Sequence, residues 1–126
     1  MKKVLAIDFD GTIVDFDFPN IGDLRPYAKE VINALYDDHI IIIWTTRDGK
    51  DQIAVEEFLE ENEIKYHYIN KNADEVLAWL QGDPRKIYAD IYIDDRNIMA
   101  MIDWPKIGNI FGVWKKIIKQ LNTVSS

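Results

Sequence analysis

The chain contains no cysteine, which excludes disulfide staples, zinc–thiolate sites and thiol nucleophiles together. Histidine is nearly as scarce: His39 and His67 are the whole supply, which argues against a histidine-based metal site or catalytic triad. Basic residues are in deficit, 15 Lys and Arg against 22 Asp and Glu, for a formal net charge of −7. That balance disfavours a broad electrostatic grip on nucleic acid or anionic lipid, and it suits a site that recruits a divalent cation. There is no long hydrophobic run. The apolar stretch after Lys2 and Lys3 stops at Asp8, too short for a signal peptide or a membrane span, so the expected location is the cytoplasm. Gly and Pro are scattered singly and mark no linker or repeat, so residues 1–126 read as one domain.

What is there alternates. Residues 3–8 form an apolar run bounded by charge, the pattern of a buried strand. Pro26 suits the first position of a helix, whose stripe is Tyr27, Val31 and Leu35 with Ala28, Ile32 and Tyr36. "HIIIIWTT" (39–46) is β-branched and continuously apolar, as a strand covered on both faces would be. Ala54, Val55, Phe58 and Leu59 make a second helical face, and "KYHYI" (65–69) a third strand. Val76, Leu77 and Leu80 mark a helix that Gly82 and Pro84 can end. "ADIYID" (89–94) is a fourth strand, "NIF" (109–111) a short fifth, and Trp114, Ile117, Ile118 and Leu121 line a last helix. Strand and helix in alternation predict an α/β fold, a three-layer Rossmann-like parallel sheet with helices on both faces.

In such sheets ligands bind at the carboxyl ends of the strands, where strand order reverses. Strand one ends in Asp8 and Asp10, strand two in Thr45, Thr46 and Arg47, and strand four in Asp94 and Asp95. With strand one placed between strands two and four, these groups converge on one crevice. A hairpin at Asp10-Gly11 would leave the second acidic pair unexplained. Carboxylate oxygens are hard ligands, and Mg²⁺ takes octahedral oxygen coordination from one or two carboxylates, water and substrate phosphate; an EF-hand calcium loop is a poor fit, because Gly11 comes too early. In such a site one carboxylate can attack phosphorus and a second can move protons. Thr45 can hydrogen-bond a phosphoryl oxygen and a lysine can offset its charge.

"IDFDGT" (7–12) resembles the first motif of the haloacid dehalogenase superfamily of phosphohydrolases. "IIIWTTR" resembles its second motif, a strand ending in Thr45, and "YIDDR" (92–96) its fourth in acidic-pair form. The resemblance implies Asp8 as nucleophile and Asp10 as acid/base. It also implies Mg²⁺ held by Asp8, the backbone carbonyl of Asp10, and Asp94, with Asp95 as a further ligand or behind them. Gly11, Thr46 and Arg47 would then border the substrate, Arg47 as an anchor or as the ion-pair partner of Asp95. The third-motif lysine is Lys86 or Lys71, with Lys86 preferred because "RKIYADIYIDDR" (85–96) resembles a group of capless bacterial and phage proteins. Residues 12–24 leave room for a small flap and not for a cap domain.

The expected substrate is a small phosphorylated molecule, with a nucleotide or a phosphorylated polymer end as alternatives; specificity would come from the flap, from loops near Arg47 or from an oligomeric neighbour. Two rivals belong to other classes. A response-regulator receiver shares the size and the parallel sheet, but its acidic pair ends the first strand, whereas here the pair comes late. A non-catalytic module binding a phosphorylated ligand would have no need of the full carboxylate set.

Overall fold

The computed structural model describes residues 1–125. Strand β1 (Lys3–Asp8) is followed by helix α1 (Ala28–Tyr36), strand β2 (His39–Trp44), helix α2 (Gly49–Glu61), strand β3 (Tyr68–Ile69), helix α3 (Asp74–Leu77), strand β4 (Ile91–Ile93), helix α4 (Trp104–Phe111) and helix α5 (Trp114–Ser125). The four strands form one parallel sheet in the order β3-β2-β1-β4. The fold is therefore a Rossmann-like α/β arrangement, with β1 in the interior as expected.

Alternation explains why β1 and β2 are apolar throughout. Leu5, Ile7, Ile41 and Ile43 point to one face, into a core shared with Val31, Val55, Leu59 and Ile117 of the helices. Val4, Ala6, Ile40 and Ile42 point to the other, where Ala73, Val76 and Ile87 cover them. From β1 the chain moves outward to β2 and β3, then returns across the sheet to β4. Connections leave β1 toward one side and arrive at β4 on the other, so the carboxyl ends of β1 and β4 flank a crevice.

Several elements differ from the sequence reading. The stretch 109–111 is no strand; it is the last turn of α4. The Asp103 side chain accepts from the Lys106 N–H, Pro105 stands in the first turn, and Gly112 (φ 68°) closes the helix in the left-handed region. Those three signals outweigh a short apolar run. Pro26 stands two residues before α1 rather than at its first position, because Tyr27 turns left-handed (φ 66°), which sets its ring edge-on against Trp114 at 5.5 Å. The second, third and fourth strands are each shorter than expected, leaving Thr45, Thr46 and Asp94 just beyond the sheet.

Strand β3 is short because a side chain replaces part of its ladder. The Ile41 N–H donates to Nδ1 of His67 at 3.0 Å, and the imidazole stacks on Tyr36 at 4.1 Å. Burial lowers the His67 pKa below its usual value, with Glu75 and Lys2 pulling in opposite directions. A histidine whose folded pKa is depressed contributes stability above its unfolded value, and that contribution is lost as pH falls through the folded value. Urea-unfolding stability should therefore decline below about pH 6.5, and His67→Gln, which still accepts but does not titrate, should flatten that decline.

Candidate active site

The turn after β1 is built around Thr12, which is fully buried. Its Oγ1 accepts from the Asp95 N–H at 3.1 Å, and lies 3.0 Å from Asp8 Oδ2 and 3.2 Å from Asp95 Oδ1. One hydroxyl proton serves one of those two carboxylates at a time, so Thr12 ties the ends of β1 and β4 together. Its carbonyl accepts from the buried Trp104 indole at 2.8 Å, which anchors the turn to α4. Gly11 (φ 85°) is required sterically: a Cβ there would overlap the Asp95 carboxylate. Its N–H donates to the Val14 carbonyl at 2.8 Å, so that donor is engaged within the turn.

Asp8, Asp94 and Asp95 each place a carboxylate oxygen within 4.8 Å of the others. Asp94 is fixed by the Arg96 N–H, which donates to Oδ1 at 2.8 Å. Burial first, then hydrogen bonding to Asp95 and the charge of Asp94, push the Asp8 pKa up to about 8, against the Thr12 hydroxyl. Three carboxylates so close need a proton or a cation between them. All three are hard oxygen donors, and octahedral ligand oxygens around Mg²⁺ stand about 3–4 Å apart. The donor set and its spacing therefore fit such an ion.

Asp10 borders the same crevice, as expected, while its carboxylate stands outside that trio. Arg47 Nε and Nη2 donate to its two oxygens, each at 2.8 Å. The same guanidinium donates to the carbonyls of Pro19 (3.2 Å) and Asn20 (2.8 Å) and lies 4.8 Å from the Phe18 ring centre. Its side chain is 1% exposed, and the Asp10 hydrogen bonds raise its pKa. The partner of Arg47 is thus Asp10 and not Asp95, and its donors face protein acceptors. The main-chain carbonyl of Asp10 is the donor that remains for an ion.

Asp8, Asp10, Thr45, Thr46 and Asp94 border a single crevice of about 440 Å³. The Thr45 N–H donates to Asn70 Oδ1 at 2.8 Å, and Thr45 Oγ1 accepts from the Arg47 N–H at 3.1 Å, so the loop after β2 is pinned. Phe16, Phe18 and Arg96 complete the lining. The sequence reading did not single these three out, although Arg96 lies inside "YIDDR" and both rings lie in the flap. Neither lysine lines the crevice. Lys71 pairs with Asp74 at 3.1 Å beside β3, two strands from Asp8. Lys86 Nζ lies 5.2 Å from the ring of Tyr92, on the strand next to β1.

Fold and crevice together define an α/β protein with an acidic site at the carboxyl edge of a parallel sheet. No family model matches the chain, and no curated protein matches it. A solved structure described as the conserved protein coded by locus from Bacteroides thetaiotaomicron is 34% identical, with a TM-score of 0.78, over 89% of this chain and 91% of that one. At that identity and coverage, the chain belongs to the same family as that conserved protein.

Proposed function

We propose that the protein is a Mg²⁺-dependent phosphohydrolase of the haloacid dehalogenase superfamily, a three-layer member without a cap domain, acting in the cytoplasm on a small phosphate ester. The observation that carries this reading is the trio of Asp8, Asp94 and Asp95 at the switch point of the sheet, beside Thr45 and Thr46 in one crevice. Asp8, Asp94 and the main-chain carbonyl of Asp10 would hold the ion, with Asp95 beside them. When bound, it would neutralise charge on Asp8 and on the phosphoryl oxygens.

An Asp8 oxygen attacks phosphorus, the ester P–O bond breaks, and the leaving oxygen takes its proton from solvent, because Asp10 in its pair with Arg47 is a carboxylate. Water then attacks the aspartyl-phosphate, Asp10 accepts its proton, and the Asp8–phosphorus bond breaks to release phosphate. Each Asp10 oxygen keeps a second lone pair beside its Arg47 bond. Thr45 and Thr46 orient phosphoryl oxygens. Lys86 is better placed than Lys71 to swing toward them, since Tyr92 and Asp94 project to the same side of the chain at β4.

Phosphate release from an aryl phosphate should require Mg²⁺ and fall to background with a chelator. Equal hydrolysis without metal, or stable phosphorylation with no sustained release, would overturn the reading; the second result is the receiver-like behaviour.

A further inference from the structure

The flap, residues 15–24, is a preformed wall. Its two ends are joined, Asp15 N–H donating to the Asp23 carbonyl and Arg25 N–H to the Ile13 carbonyl, each at 2.8 Å. Gly22 packs so closely on the Asp15 carbonyl that no Cβ fits. Its tip is held by the buried Arg47 through the carbonyls of Pro19 and Asn20. A wall held at both ends and at the tip presents its side chains in a fixed place.

What it presents is aromatic. Phe16 and Phe18 remain 58% and 50% exposed, and both line the crevice that holds Asp8. Single exposed apolar side chains need no explanation; two rings on one braced loop, both facing one crevice, do. Arg47 lies 4.8 Å from the centre of Phe18, and Arg96 lies 5.5 Å from the centre of Phe16. Each ring is thus steadied by a guanidinium, and neither is buried in the core. The crevice, about 440 Å³, has the size of a small-molecule site rather than of a phosphate ion alone.

Resting on the phosphohydrolase reading, we propose that Phe16 and Phe18 form a stacking wall for the leaving group. The substrate is then the phosphate ester of a flat, π-bearing group, a nucleoside or a simple aryl alcohol, and not that of a sugar or other polyol. A polyol offers hydroxyls that two phenyl rings cannot satisfy, whereas any aromatic or heteroaromatic face stacks on them. Arg96, at the rim beside Phe16, can add a forked contact to a phosphoryl oxygen or lie over the same flat group.

The experiment compares kcat/KM for phenyl phosphate, adenosine monophosphate and glycerol phosphate in the native protein and in Phe16 variants shown to be folded by circular dichroism. The ratio between variants matters, because phenyl phosphate is intrinsically the more reactive ester. Phe16→Ala and Phe16→Leu should each reduce the flat-to-polyol ratio by about tenfold, and Phe16→Tyr, which keeps the π-face, should retain it. The flat ester whose kcat/KM falls further in Phe16→Ala tells a nucleoside from a simple aryl group. An unchanged ratio in Phe16→Ala would overturn the wall and leave the phosphohydrolase standing. If no ester is hydrolysed, the proposed function fails. Calorimetric titration of the native protein then decides the wall by itself: tighter binding of phenyl phosphate than of glycerol phosphate upholds it, and equal or absent binding overturns it.

Discussion

Asp8→Asn is expected to abolish phosphate release and, without a divalent cation, to raise the melting temperature. The first effect follows from chemistry, since an amide nitrogen or oxygen does not replace the carboxylate as attacking group. The second follows from crowding. Burial, Asp95 and Asp94 lift the Asp8 pKa from its ordinary 3.8 to about 8. A carboxyl raised on folding binds its proton more tightly in the folded state, so its contribution to stability falls as pH climbs from the ordinary value through the raised one. At neutral pH the cation-free folded protein therefore holds Asp8 largely protonated, whereas the unfolded chain ionises it freely; that difference opposes folding, and asparagine removes it. Scanning fluorimetry should show a larger gain for the variant at about pH 8 than at about pH 5. Adding Mg²⁺ should stabilise the native protein more than the variant, because binding to the folded state alone raises stability. A variant that melts below the native protein at the higher pH without cation would contradict this account.

Arg47→Ala should be the most destabilising change at the site. The pair it breaks is enclosed, with side-chain exposure of 1% for Arg47 and 12% for Asp10. Removing one partner of such a pair leaves the other charge unmatched, at a cost of about 3–5 kcal/mol, a large share of a typical domain's stability. The loss reaches further than Asp10, since the carbonyls of Pro19 and Asn20 lose their donor and the flap loses its brace. Arg47→Lys should rescue little, because one ammonium cannot reproduce a planar fork that reaches two carboxylate oxygens and two carbonyls. In urea titrations the double variant Arg47→Ala/Asp10→Asn should be more stable than Arg47→Ala alone. If the single variant unfolds at the native midpoint, the ion pair has been misjudged.

The strands that sit inside the sheet were legible in the sequence because their two faces are both buried, which makes a continuous apolar run unambiguous: β1 begins and ends where its pattern does. The edge strand β3 was overestimated because part of its pairing is done by the His67 ring, which a hydropathy pattern does not register. At 109–111, a β-branched residue between polar and aromatic neighbours suggested a strand, although the apolar spacing Trp104, Ile107, Gly108 and Phe111 is helical and an Asp and a Gly flank it at capping distance. The acidic site was legible for the same reason as the interior strands: residues at strand ends converge once strand order is known. The partner of Arg47 was not, because it depends on how the flap folds back, and that path is set by contacts between its two ends that a hydropathy pattern does not register. Thr12 was overlooked for a different reason. Its hydroxyl joins two parts of the chain, and only one of them is in its own motif.

Those joins span 83 residues from Thr12 to Asp95 and 92 from Thr12 to Trp104. A nascent chain that has emerged only as far as α2 carries Asp8 and Asp10 on an ordinary acidic strand end, with neither of the carboxylates that later crowd Asp8. Since the last-made third of the polypeptide supplies both Asp94 and Asp95 and the indole that secures the turn, the acidic cluster comes into being only with long-range docking, among the later events expected of a parallel topology. Copies of this chain that stop before Asp94 therefore lack two of the three carboxylates that crowd together at Asp8.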